Sequence, residues 1–254
     1  MRSTTAILDA DELAFRACAA AEFDFELGDH HYLMSEFSAV KRILDDSILK
    51  IEEATGATEI TFALSDRKNF RHGVDETYKG NRKGTRKPLA FKRSMEYIES
   101  SFRSIRRPLL EADDVMGLYS EDFDWVVATD KDLKTIPGNL FSPQKNEKYA
   151  VTEEQANWFW LTQCLTGDRT DGYMGCKGIG PVRAQKIIDG AIEVPGEVFE
   201  DELAPVWDAI VATYEKAGAT AQDALVTARL ARILRPGEYD EEFQTPILWS
   251  PGAV

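Results

Sequence analysis

A chain of 254 residues with 43% apolar and 29% charged side chains can bury a sizeable core and has the make-up of an ordinary soluble globular protein. No window approaches a membrane span, no secretory h-region precedes the first apolar run, and Cys18, Cys164 and Cys176 are odd in number and form no C-x-x-C pair, which favours reduced thiols in a cytoplasmic compartment over a disulfide or zinc framework. The net charge of −14 argues against a nucleic-acid partner only until its distribution is read: Arg67 to Arg107 holds 13 Lys plus Arg against 4 Asp plus Glu, a local +9 that leaves −23 on the rest.

Three short apolar runs each stop at an aspartate: T-T-A-I-L-D at Asp9, I-T-F-A-L-S-D at Asp66 and W-V-V-A-T-D at Asp130. β-Branched and aromatic residues halted by a polar one are the pattern of buried strands in an α/β sheet. After the first run, Asp11 to Phe23 reads as a helix, and so does Phe37 to Glu53, with Val40, Ile43, Leu44, Ile48 and Ile51 at helical spacing before Gly56. Asn69 to Lys87 is polar, glycine-punctuated and weakly periodic, which predicts a mobile segment ordered by a ligand. Leu89 to Phe102 resumes as a helix, and Pro108 leads through a loop into a helix start at Glu111. From Val151 onward the chain reads as mostly helical, with Ala221 to Leu234 the clearest amphipathic stretch. Strands alternating with helices, then helices alone, predict an α/β sheet domain over residues 1–165 and a helical region over 166–254.

In open α/β sheets ligands bind beyond the carboxyl ends of the strands. If the three runs are parallel neighbours, Asp9, Asp66 and Asp130 meet at one rim. Any one of them is explained as a helix N-cap. Three together, joined by Glu111-Ala112-Asp113-Asp114, by Asp130-Lys131-Asp132 and by Asp168-Arg169-Thr170-Asp171, favour a metal site. Oxygen donors without a His or Cys set suit Mg²⁺, or Mn²⁺, rather than zinc. The carboxylates exceed what one octahedral ion needs, so two ions ~4 Å apart, clamping a phosphodiester, are the expectation.

Gly175-Cys176-Lys177-Gly178-Ile179-Gly180-Pro181 runs into Val182-Arg183-Ala184-Gln185-Lys186, a G-x-G-P turn opening a helix. Its backbone N–H groups at Gly178 and Gly180 suit a phosphate, Pro181 fits the first helical turn, and Lys177, Arg183 and Lys186 add charge. Such contacts read the phosphate backbone, so binding should be tolerant of sequence and sensitive to salt. Tyr78-Lys79-Gly80-Asn81-Arg82 adds two cations suited to a scissile phosphate and an aromatic ring able to stack on a base.

In this order the elements resemble the 5′-nuclease superfamily of flap endonucleases and polymerase-associated 5′→3′ exonucleases, and most nearly the exonucleases of small tailed phages. The likeness spans most of the chain: D-A-D-E-L-A-F from Asp9, S-D-R-K-N-F-R from Ser65, Y-K-G-N-R, L-E-A-D-D-V-M-G from Leu110, T-D-K-D-L-K-T-I-P ending at Pro137, G-D-R-T-D-G-Y from Gly167, and Leu230 to Arg235. The resemblance implies a PIN-like, mostly parallel sheet flanked by helices, with a helix-hairpin-helix (H3TH) C-terminal region. It implies one metal site from Asp9, Asp66, Glu111 and Asp113, a second from Asp130, Asp132, Asp168 and Asp171, and Asp114 contributing to either. Lys79 and Arg82 match the family's phosphate-facing lysine and its companion arginine, in an arch or gateway near residues 67–93. The family's hairpin also holds K⁺ through carbonyls and a serine hydroxyl; the matching position here is Gly175, which puts that ion in question. The implied partners are duplex DNA with 5′ ends or flaps and RNA–DNA hybrids. The implied role is Mg²⁺-dependent 5′→3′ exonuclease, flap endonuclease and RNase H-like cleavage in phage DNA replication, recombination and host DNA breakdown. A monomer in the host cytoplasm is expected.

Two other classes stay in play. Asp9-Ala10-Asp11 after a strand also suits a phosphatase with an aspartyl nucleophile, which leaves the hairpin and the excess acids unused. A non-catalytic DNA-binding protein has no use for acids converging near DNA.

Overall fold

The computed structural model describes residues 3–82, 84–127 and 130–252 of the chain. The elements begin with β1 (Thr5–Asp9), α1 (Ala10–Ala20), β2 (Glu22–Leu27), β3 (His30–Ser35), α2 (Phe37–Thr55) and β4 (Glu59–Leu64). There follow α3 (Arg71–Val74), α4 (Phe91–Ser101), β5 (Arg103–Arg106), α5 (Ala112–Leu118), β6 (Trp125–Val127), β7 (Gly138–Ser142) and β8 (Glu147–Val151). The remainder is α6 (Glu153–Thr166), the short pair β9 (Gly167–Asp168) and β10 (Tyr173–Met174), α7 (Pro181–Asp189), α8 (Leu203–Lys216), α9 (Ala221–Ala231), β11 (Tyr239–Asp240) and β12 (Thr245–Pro246).

The main sheet has the order β5-β4-β1-β6-β7-β8, all parallel except β8, which runs antiparallel to β7. The three apolar runs are therefore its centre, and the condition for their terminal acids to share a rim is met. Asp9 stands opposite Ala63 in the β1–β4 register, while Leu8 stands opposite Val127 of β6. Ala128 and Thr129, the end of the third run, lie outside the described residues.

Side chains alternate across a strand, and here they sort into two layers. Leu8, Phe62, Leu64, Val127 and Phe141 pack with α1, α2 and α4 on one face. Ile7, Ala63, Val126 and Leu140 pack on the other with α5, Leu133 and Ile136, and with Ile233, Leu234 and Tyr239 returning from the chain's end. A third core joins α6, α7, α8 and α9 around Trp160, Leu161, Ile188 and Ile210, and it includes Tyr78 from the distant polar segment. The close approach of the extended chain after α9 requires glycine at Gly117, where a Cβ would stand 2.2 Å from the Leu234 carbonyl oxygen.

Two expectations change. The first helix stops at Ala20, and Phe23 belongs to the β2–β3 hairpin, in which Phe23 faces Met34 and Phe25 faces Tyr32 across an exposed apolar face. The segment from Asn69 to Lys87 is anchored rather than loose. Arg71 and Tyr78 are 3% and 2% exposed, and Arg86 forms an ion pair with Glu22 at 2.7 Å. No described helix is long and apolar enough to cross a membrane.

Candidate active site

The carboxyl edge of the sheet gathers acids from four stretches of the chain. Asp9 ends β1 and caps α1, accepting the Glu12 backbone N–H at 3.0 Å. Burial, reinforced by Asp11, pushes its carboxyl up to about 7. Asp113 lies in the first turn of α5, and burial followed by the charge of Asp9 holds it well above the carboxylate range; Lys79 pulls the other way, while Glu111 and Asp130 add to the rise. Glu12, half-buried, is likewise raised by burial, with Arg16 opposing and Asp130 adding. These are carboxyls crowded together with too little positive charge among them.

Asp130 caps the 3-10 turn Lys131–Thr135, accepting the Asp132 N–H at 3.1 Å. Burial, then Asp130 and Asp168, push Asp132 up to about 7. Asp168 is 5% exposed; one oxygen accepts the Thr170 N–H at 2.6 Å and the other meets Lys131 Nζ at 3.1 Å. Burial works to raise its carboxyl, but Lys131 and the Thr170 N–H outweigh it and leave it low. Asp130 thus acts electrostatically on both groups, Asp113 on one side and Asp132 on the other.

The Y-K-G-N-R block closes over these acids. Lys79 Nζ reaches Glu111 at 2.5 Å and Asp171 at 3.6 Å. Arg82 Nη2 meets the other Asp171 oxygen at 2.6 Å. The Lys79 backbone N–H donates to the Asp171 carbonyl at 2.8 Å, and Asn81 donates to the carbonyls of Arg169 and Thr170. Burial alone would lower the Lys79 ammonium pKa, yet Glu111 and Asp171 raise it, so the cation is retained. Glu111 shows the mirror effect: burial works upward, Arg71 and Lys79 prevail, and the carboxyl sits low.

Three expected site residues have other duties. Tyr78 does not face a base: its hydroxyl is shared between Asp171 at 2.8 Å and Glu111 at 3.0 Å, and its ring stacks on Tyr173. Asp114 is withdrawn from any metal. Fully buried, it takes Arg71 on both oxygens, at 2.6 and 2.8 Å, and also accepts the backbone N–H of Glu111 and of Leu234. Asp66 accepts the Leu109 N–H at 2.9 Å, which with the N–H groups of Arg67 and Lys68 and the charge of Arg106 holds its carboxyl low against burial. It fixes the loop that delivers Glu111.

Arg71 is the residue that sequence reasoning passed over, counted only as one of the basic residues of its segment. Its guanidinium also donates to the carbonyls of Leu230 and Arg232, so one side chain ties the polar segment, α5 and the end of α9 together. Glu12 and Lys131 were passed over too, although each sits one helical turn or less from a named acid.

The glycine turn lies at the surface. Gly180 caps α7 with Pro181 in its first turn, Gly178 has φ +79°, and a Cβ at Gly178 or Gly180 would meet only open space. Lys177, Arg183 and Lys186 are exposed, and Arg183 bonds the Gly178 carbonyl at 3.0 Å. At Gly175 no side chain fits: a Cβ there would stand 2.3 Å from the Gly167 nitrogen and the Leu165 carbonyl. A hydroxyl ligand for K⁺ is sterically barred from that position.

The donor set of the rim consists of carboxylate oxygens, which suits a hard divalent cation. Among the described residues no three His, Cys, Asp or Glu side chains close round a single point as they stand, so an ion would have to draw the acids inward.

Residues 4–156 match the family model described as 5′-3′ exonuclease, N-terminal resolvase-like domain. Over 96% of its length the chain is 32% identical to the exodeoxyribonuclease of Enterobacteria phage T3, covering 92% of that protein. It is 31% identical to the exonuclease of Escherichia phage T7 over the same share, covering 93% of that protein. Among solved structures, the fold resembles the phage T5 D15 protein co-crystallised with metal ions, with a TM-score of 0.64 and 18% identity over 90% of this chain and 89% of that one. It also resembles the T5 D15 flap endonuclease in a pseudo-enzyme–product complex with DNA and metal ions, with a TM-score of 0.57 and 21% identity over 89% of each chain.

Proposed function

This chain belongs to the 5′–3′ exonuclease family, and we propose that it hydrolyses duplex DNA from 5′ ends with two Mg²⁺ ions, cutting 5′ flaps and the RNA of RNA–DNA hybrids as well. Family membership sets aside the aspartyl phosphatase and the non-catalytic DNA-binding protein. The observation that supports the metal reading best is the crowding of Asp9, Asp113 and Asp132, whose raised pKa values express negative charge awaiting a cation.

Asp9, Glu111 and Asp113 would hold one ion, and Asp130, Asp132, Asp168 and Asp171 the other. When bound, such ions supply water activation and neutralise charge on the departing 3′ oxygen. The protein's own groups do the rest. Lys79, kept charged between Glu111 and Asp171, is poised to take a non-bridging oxygen of the scissile phosphate. Arg82, half-exposed beside it, presents the rest of its guanidinium to the strand. Water is split across the bond so that the phosphate stays on the remaining duplex and the released end carries a 3′ hydroxyl. Residues 1–165 carry this chemistry together with Asp168 and Asp171 from the start of the helical region, and the rest of 166–254 holds the duplex through the exposed cations of the glycine turn. Tyr78 acts from beneath, fixing Glu111 relative to Asp171.

The test is a 5′-labelled duplex incubated with Mg²⁺ or with EDTA. Label released as mononucleotides or short oligonucleotides only with metal is the expected result. Equal release in EDTA, or none in either, defeats the reading.

A further inference from the structure

On the sheet face carrying Leu8, Val127 and Phe141, α1 and α2 leave a cavity of about 740 Å³. The room is written in the sequence. The stripe of α1 turned to it continues from Leu13 through Ala17 to Ala20, and α2 contributes Ile51 and Ala54, so short side chains stand where longer ones would reach the sheet. Asp9 and Glu12 form part of its lining, which makes it continuous with the acidic rim. Gln144 and Asn146, from the turn between β7 and β8, add amide groups to a wall that is otherwise largely apolar, and Arg16 lines it while paired to Glu12 at 2.8 Å.

These features select an occupant. The volume is that of a small-molecule site, larger than packing defects leave. Aliphatic and aromatic surfaces accept the flat face of a heterocycle, and amides can meet its edge. Three carboxylates, those of Asp9, Glu12 and Glu53, outnumber the two cations Arg16 and Lys50 in the lining and disfavour a free fatty acid or other anionic apolar ligand, whereas a heterocycle attached to a strand already held at the rim arrives with its phosphate accounted for. We propose that this cavity receives the nucleobase of the nucleotide immediately 5′ of the scissile phosphate, which in exonucleolytic cleavage is the terminal one released. The assignment rests on the nuclease reading above and adds to it a subsite for the leaving nucleotide. Because the cavity offers mainly aliphatic and aromatic surface to ring faces, it does not select one base over another, in keeping with sequence-tolerant cleavage.

Calorimetric titration in Mg²⁺ with 5′-dAMP and with deoxyribose 5-phosphate tests it directly. The protein should bind dAMP roughly ten-fold or more tightly than the base-free sugar phosphate. Ala17→Phe, filling the cavity, should bring that ratio close to unity. Ala20→Trp, at an exposed position of the same wall, gives the same readout should Ala17→Phe fail to fold by circular dichroism. Equal binding of the two ligands by the unaltered protein, or a preference that survives the substitution, overturns the proposal. Duplexes ending in a normal or an abasic 5′ residue separate the two readings. Cleavage of both at one rate, without a dAMP preference, sinks the cavity assignment and leaves the nuclease standing. No cleavage of either sinks the nuclease reading and the subsite with it.

Discussion

Asp113 and Asp114 are adjacent on one helical turn, and they belong to two regions with opposite electrostatics. Behind α5, Asp114 is fully buried against a guanidinium that fills both its oxygens. In front, Asp113 is half-buried among Asp9, Glu111 and Asp130, with Lys79 as its opposing charge. A buried carboxylate with its cation supplied by the fold is scaffold; one whose neighbours are further acids awaits a cation from solution. Substitutions on the two sides should therefore fail in different ways.

The largest effect is expected at the front. Asp113→Asn or Asp130→Asn should reduce cleavage by roughly 10³-fold or more while leaving DNA binding and the melting temperature intact or raised, because each removes a repelling charge together with a proposed metal ligand. A melting temperature several degrees lower would contradict the comparison. Behind the helix, Asp114→Asn or Arg71→Ala leaves one member of a buried pair uncompensated and should cost about 3–5 kcal/mol in denaturant unfolding. A variant as stable as the parent would show that the pair is no scaffold.

Lys79→Ala should lower turnover by roughly 10²-fold with a smaller change in substrate affinity; single-turnover rates on a saturated duplex give the answer, and an unchanged rate demotes the lysine. Acid–base behaviour sharpens the contrast. In EDTA the folded protein holds protons on Asp9 and Asp132 up to about pH 7, whereas the ordinary value is 3.8. The native state then binds more protons than the unfolded chain between these limits, so this contribution to stability is fully present below about pH 4 and is lost as pH rises through about 7. Thermal melts across that range should fall in EDTA and recover on adding Mg²⁺. The smallest effect lies farthest away: Lys177→Ala should weaken binding to all sequences alike and reduce the salt slope by about one.

Much of this was legible without coordinates, and where it was not, the cause is physical. The three central strands announced themselves because each is a β-branched run buried on both faces, and their register follows from sheet topology. The glycine turn was readable because Gly180-Pro181 is a local cap. The β2–β3 hairpin was hidden although E-F-D-F-E-L alternates cleanly, since it follows an alanine-rich helix without a breaker. Tyr78 was misplaced for a different reason: its partners Asp171 and Tyr173 lie more than ninety residues onward, and no local pattern marks such a burial. Nor does sequence separate Asp113 from Asp114, because the arginine that claims one of them arrives from forty-three residues away.

The clasp between residues 78–82 and the loop at 168–171 has a mechanical outcome. Tyr78, Lys79 and Arg82 all grip Asp171, two by side chain alone and one by both side chain and main chain. Any displacement of residues 78–82 is transmitted through these contacts to Asp171 at the edge of the acid array, so the two segments move as one piece and neither can be repositioned alone.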